Sequence, residues 1–219
     1  MDKSECDNEN PRISGQGSKD NPYIIKNSRQ LQQIENNLES HFILGCNVDA
    51  SETKQWNDGK GFKPIGSDQN RFTGTFSGNG YKIENLYINR PETDNTGLFG
   101  VIGYKGLVKD VIIKDFSVHG QHNVSALVAC NKDGDIINCE IKDANVLGSH
   151  IVGGAIGWNA KEDSVSAKIR SHNTVVKGKQ SVGCVIGENE GHIYEICTND
   201  SVSIGKNHAG NIVGFSSND

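Results

Sequence analysis

The sequence predicts an all-β fold, a right-handed parallel β-helix of about five to six coils with an N-terminal capping helix, on three observations. A short apolar phrase recurs as LFG at 98–100, LVA at 127–129, AIG at 155–157, VIG at 185–187 and IVG at 212–214, in steps of 29, 28, 30 and 27 residues. Ahead of each phrase stands a segment such as YKIENLYI, GLVKDVII or GDIINCEI, whose apolar residues alternate with the period of a strand. Gly120, Gly148, Gly178 and Gly205 each stand two residues after Val118, Val146, Val176 and Ser203. A glycine at one fixed position per repeat marks a corner that needs positive φ or close backbone approach. Each repeat then holds about three short strands. A unit that small cannot bury its own apolar face, so neighbours stack in parallel, roughly 4.8 Å apart, around a shared core.

Residues 1–20, rich in Asp, Glu, Asn, Ser and Gly, read as a flexible tail. They hold no apolar run of the kind a secretory signal needs, so either the chain is cytosolic or a leader has been removed. Residues 21–71 read as an N-terminal cap. Asn27 and Ser28 can cap a helix carrying Leu31, Ile34 and Leu38 at helical spacing, and HFILGCNVDAS follows as a strand. A solenoid exposes an apolar end, which an amphipathic helix can cover. Residues 72–219 are the repeats. Leu86, Val111, Cys139, Ile169 and Ile196 fall on one inward register, and Ile83, Val108, Ile136 and Ile193 on another. The last coil, ending FSSND, reads as unfinished, which predicts either continuation in a longer chain or end-to-end self-association through open strand edges.

With 22 Lys and Arg against 27 Asp and Glu, the net charge of −5 supplies no cationic field for a phosphate backbone, so no nucleic acid partner is expected. No apolar run approaches the roughly 20 residues of a membrane-spanning helix, so no membrane insertion is expected. The six cysteines are too few for a disulfide scaffold, and no CxxC spacing suggests zinc. Cys130 and Cys184 lie at different phases of the repeat, Cys139 sits in an inward row, and free thiols are expected.

The segments NPYIIKNSRQLQQIENNL, FILGCNVDAS, KPIG, FTGTFSGNGYKIENLYI and TGLFGVIG, with Trp56 and the later VGG and LVG units, resemble GLUG-motif repeat proteins of bacteria over roughly residues 20–219. Ser77 stands where that family commonly has Asp, and the fourth repeat, AKEDSVSAKI, lacks the glycine before its strand. The resemblance implies a β-helical module of secreted or surface proteins, such as adhesin-like chains and non-catalytic regions of immunoglobulin A protease-like proteins. It implies no active site and no cofactor.

Several rows carry candidate chemistry. Asn131, Asn159 and Asn189 occupy equivalent sites, where stacked amides can bridge coil to coil. Beyond them lie the acidic pairs Asp133 and Asp135, Glu162 and Asp163, Glu188 and Glu190, which read as solvated turn charge or as raw material for a Ca²⁺ site. The row Asp115, Asp143 and Asp200, with Asn173 interposed, could supply paired carboxylates for glycoside hydrolysis, although the Gly-His-Gly and Arg-Ile-Lys elements of pectin-cleaving β-helices are absent. His122 and His150 are equivalent and are followed by Gln180 and Asn207, a surface ladder or two ligands of an incomplete metal site. Trp56, Phe62, Phe72 and Phe76 cluster before the first full repeat, either plugging the solenoid end or forming a sugar- or protein-binding patch.

The function expected is a non-catalytic module, secreted or at the cell surface, that presents a β-helical face to a protein or glycan. A carbohydrate-active enzyme using the Asp row and a cytoplasmic or delivered effector are the alternatives.

Overall fold

The computed structural model describes residues 12–160 and 164–216. They form a parallel β-solenoid of about five turns with one short α-helix near the N-terminus. Every pairing between its named strands is parallel. One turn runs through strands Asp135–Lys142, Asn145–Leu147, His150–Gly153 and Ile156–Asn159, and the next begins at Val165–His172. Stacked turns thus build four sheets, of 11, five, four and five strands. This is one face more than three strands per repeat would make, because His150–Gly153 and its equivalents form a separate strand ahead of the apolar phrase.

The recurring phrase sets the register. Phe99, Val128, Ile156, Ile186 and Val213 pair in sequence, at the same 29, 28, 30 and 27 residue steps as the repeats. Leu86, Val111, Cys139 and Ile169 are fully buried and Ile196 is half-buried. The second inward row differs from expectation at Ile83, which pairs with Ile113, whereas Phe76 precedes Val108 and Ile136. Seven residues separate Phe76 from Ile83, but five separate Val108 from Ile113. The longer turn, closed by the Tyr81 amide donating to Gly78 O (2.9 Å), shifts the strand by two residues and preserves which side chains face inward. Ser166 continues that row, buried between Ile136 and Ile193.

Corners are turned by single residues in the left-handed region, three per turn. One column is Asp110, Asn138, Lys168 and Glu195; a second is Asn85, Asp115, Asp143, Asn173 and Asp200; a third is Asn95, Asn123, Ile151, Ser181 and His208. Asn and Asp dominate because their short polar side chains tolerate this conformation, and amides of one turn donate to oxygens of the previous one. Asn138 Nδ2 reaches Asp110 Oδ1 at 2.7 Å, Asn123 Nδ2 reaches Asn95 Oδ1 at 2.8 Å and Asn173 Nδ2 reaches Asp143 Oδ1 at 2.6 Å. The fixed glycines serve differently: their φ is not positive, and a Cβ at Gly148 would lie 2.8 Å from methyls of both Val124 and Val152. They admit the valine stack of the adjoining strand.

At the N-terminal end, Asn27 Oδ1 accepts from the Gln30 amide (2.8 Å) and starts helix Ser28–Gln32, which tightens into a 3₁₀ turn at Gln33–Asn36 and stops before Leu38. Leu31 and Ile34 are fully buried in the same core cluster as Phe42, Phe72, Phe76 and Phe99, whose neighbouring rings lie 4.9–6.4 Å apart. The predicted strand after the helix is two, His41–Leu44 and Val48–Asp49, broken at Gly45 and Cys46. Burying each such apolar side chain contributes roughly 1.5–3 kcal/mol.

Buried amides cross this core. Asn131 Nδ2 donates to Asn159 Oδ1 (2.9 Å) and Asn159 Nδ2 to Asn189 Oδ1 (2.8 Å), while Ser164 Oγ also donates to Asn159 Oδ1 (2.9 Å). Truncating Asn159 removes its buried hydrogen bonds to Asn131, Asn189 and Ser164, and a buried group that loses its partner costs about 1–3 kcal/mol. Asn159→Ala is therefore expected to lower stability by more than about 2 kcal/mol in urea unfolding. Ile151 is a β-branched residue at φ 55°, a conformation costing about 1–2 kcal/mol outside glycine. Ile151→Asn, which restores the chemistry of Asn123 beneath it, is expected to raise the melting temperature; an unchanged or lower value refutes strain at that corner.

Candidate binding faces

The acidic row Asp115, Asp143 and Asp200 lies in the second corner column, so these residues are placed by the backbone turn they make. Asp115 and Asp200 are exposed, Asp143 accepts the Asn173 amide, and Asp115 pairs with Lys114 at 3.4 Å. Asn173 separates Asp143 from Asp200, and none of the three lines either concavity described below. Chemistry on a sugar needs two carboxylates flanking one bound ring.

Beyond the Asn ladder, the pair Asp133 and Asp135 and the pair Glu188 and Glu190 are not equivalent to one another. Glu162 and Asp163 lie outside the described residues. Asp135 is exposed, and Asp133 is half-buried with φ 107°. Glu190 accepts from Trp158 Nε1 at 3.3 Å. Glu188 follows Trp158 in the strand ladder; burial raises its carboxyl above the usual range, the nearby Glu190 charge adds to this, and Ser181 and His208 oppose it. Among the described residues no group of three or more His, Cys, Asp or Glu converges on one point.

His122 and His150 pair across adjacent strands, and their rings stack at 4.8 Å with planes 23° apart. Asp94 holds His122 Nδ1 at 2.7 Å, whereas His150 Nδ1 is buried without a hydrogen-bond partner. Gln180 and Asn207 continue the ladder.

Of the two readings of the aromatic cluster, the binding patch is overturned at Phe62 and Phe72, which are buried as an end plug would be. Both are fully buried, because the segment carrying them folds inward: the Phe62 amide donates to Tyr87 O (2.9 Å) and the Phe72 amide to Val101 O (3.0 Å). Trp56 alone of the three reaches the surface, half-buried and stacked on Phe62 with ring centroids 6.4 Å apart. It lines an open concavity of about 540 Å³ on the cap, together with helix residues Arg29, Gln32 and Glu35 and with Asn57 and Lys63. A second concavity, about 290 Å³, runs along a lateral sheet between Tyr87, Asn89, His119, Leu147 and Lys177. These residues escaped the sequence reading, although their positions flanking the inward Ile88, Val118, Val146 and Val176 row mark them as outward.

The expectation of free thiols holds at four described cysteines and fails at Cys46. Cys46 is disulfide-bonded, while Cys130, Cys139, Cys184 and Cys197 are free. Burial pushes the thiols of Cys130 and Cys139 up to about 12, so both are poor nucleophiles and act as small core residues.

No family model matches the chain. It is similar to halomucin of Haloquadratum walsbyi, 37% identical over 120 residues, which are 52% of this chain and 1% of halomucin. It is also similar to a protein of Evansella cellulosilytica named "Putative Gly-rich membrane protein", 43% identical over 179 residues, 80% of this chain and 21% of that protein. The chain therefore spans a small part of the length of either relative. Among solved structures, a crystal structure described as a putative immunoglobulin A1 protease from Bacteroides ovatus superposes with a TM-score of 0.71 at 21% identity, covering 93% of this chain and 64% of that one. That likeness is one of fold. No helix among the described residues is long and apolar enough to cross a membrane.

The raised carboxyl of Glu188 carries a pH signature. A carboxylic acid held above its unfolded value binds protons more tightly when folded, so its ionisation destabilises the fold as pH rises through that raised value. Glu188→Gln is expected to melt higher than the wild type at neutral pH, with the difference vanishing well below pH 4.5; an equal gap at both pH values refutes it.

Proposed function

We propose that the chain is a non-catalytic binding and structural module of an exported or cell-surface protein, a right-handed β-helix of the GLUG type that presents its side-chain columns to a protein or glycan. The observation that carries this reading is the use made of the carboxylates: those with catalytic spacing in sequence occupy left-handed corners, where an aspartate is selected by backbone geometry. The similarity to halomucin and to the Evansella protein supports a surface setting, as does the disulfide at Cys46, since disulfides persist in oxidising compartments. The right hand is the one favoured by parallel crossover connections between twisted strands. Among the described residues the last turn, from His192–Tyr194 to Val213–Ser216, is paired on one side only and exposes Tyr194, Val202, Ile204 and Phe215, edges that could pair with strands of a partner.

Two measurements test the reading. Incubation with neutral and acidic polysaccharides is expected to release no new reducing ends, and turnover abolished by Asp143→Asn would overturn it. Alkylation of the denatured protein without reductant is expected to label Cys130, Cys139, Cys184 and Cys197, and to label Cys46 only after reduction; labelling of Cys46 without reductant on protein from its native source would refute an oxidising compartment.

A further inference from the structure

We propose that the concavity on the N-terminal cap, with Trp56 in its wall, is a binding site for a neutral saccharide. This rests on the reading of the chain as a binding module and names its site and ligand class.

The aromatic wall is pre-organised. Trp56 stacks on Phe62, which is fully buried, and the loop behind it is tied by the Gly61 amide donating to Trp56 O (3.0 Å) and by Asn57 Nδ2 donating to Gly61 O (2.7 Å). Asn57 and Asp58 at φ 53° and 56°, with Gly59 and Gly61 also at positive φ, make the tight turn that holds the indole there. Little ordering remains to be done when a ring packs against it.

The rim is equally fixed. The Gln32 side chain clamps the Lys63 backbone twice, donating to its carbonyl at 2.9 Å and accepting from its amide at 2.8 Å. Glu35 accepts from Lys63 Nζ (3.2 Å) and from the Gly66 amide (2.8 Å), and Arg29 pairs with Glu52 at 3.0 Å. A guanidinium has five N–H donors, an ammonium three, and a carboxylate about four acceptor sites, so these pairings leave donors and acceptors side by side around the indole.

That combination fits a pyranose. A sugar ring offers an apolar C–H face for an aromatic surface, and its rim of hydroxyls both donates and accepts. The two cations that line the concavity, Arg29 and Lys63, are each already paired, Arg29 with Glu52 just outside the lining and Lys63 with Glu35 within it, so neither is an unpaired charge waiting for a uronate, a sialate or a phosphate.

The test is an array of neutral gluco-, galacto- and manno-configured oligosaccharides alongside sialylated and uronate-containing ones, probed with the whole chain and its Trp56→Ala and Trp56→Phe variants. Binding to neutral glycans is expected, weakened at least about tenfold by Trp56→Ala and largely retained by Trp56→Phe. Undiminished binding by a folded Trp56→Ala protein overturns the site but leaves the binding module standing. Binding of acidic glycans only, or of no glycan, overturns the ligand class, and the module reading then rests on protein ligands. Should Trp56→Ala unfold, Trp158→Phe leaves Trp56 as the single indole. A saturable shift of its fluorescence on adding the neutral oligosaccharides supports the site, and an unchanged spectrum refutes it.

Discussion

Parallel in-register stacking is the constraint on which the rest of this structure depends. Each strand residue sits one strand spacing from its equivalent in the next turn, so a side chain meets its own kind above and below. Apolar rows gain from that meeting, and so do amides, which carry a donor and an acceptor on one group and can chain indefinitely. Like charges lose by it. The interior column Asn131, Asn159 and Asn189 and the exterior corner amides are two answers to this one demand. Two carboxylates in the corner columns receive amides from the next turn, Asp110 from Asn138 and Asp143 from Asn173, while Asp115, below Asp143, pairs with Lys114.

The same constraint separates framework from function. Inward positions and corner residues are committed to stacking, and the glycines at 120, 148, 178 and 205 are committed to admitting valines. Freedom to vary is left to outward positions and to places where the repeat is interrupted. The largest interruption is the cap, where helix Ser28–Gln32 and the segment carrying Trp56 and Phe62 depart from the coil path. It is there that an aromatic surface, ion pairs and several amides come together around a concavity, whereas the concavity between Tyr87, His119, Leu147 and Lys177 runs along the stacked strands of the regular turns. The stacked imidazoles of His122 and His150 belong to the columns: their partners are Asp94 and the amides Gln180 and Asn207.

What the sequence by itself determined was the repeat, its register and the inward rows, because a parallel solenoid writes its period directly into the chain. Equivalent residues meet equivalent residues, so the 29, 28, 30 and 27 residue steps of the apolar phrase are the strand pairings themselves. The helix cap at Asn27 and the amide ladder were legible for the same reason, since each is a local rule. The tertiary structure alone decided the offset of Ile83, the fourth sheet, the disulfide at Cys46, the burial of Phe62 and Phe72, and the grouping of Arg29, Gln32, Glu35, Trp56 and Lys63. Each of these depends on how a non-repeating segment folds back on the coil, and no periodicity records where a residue outside the repeat will come to rest.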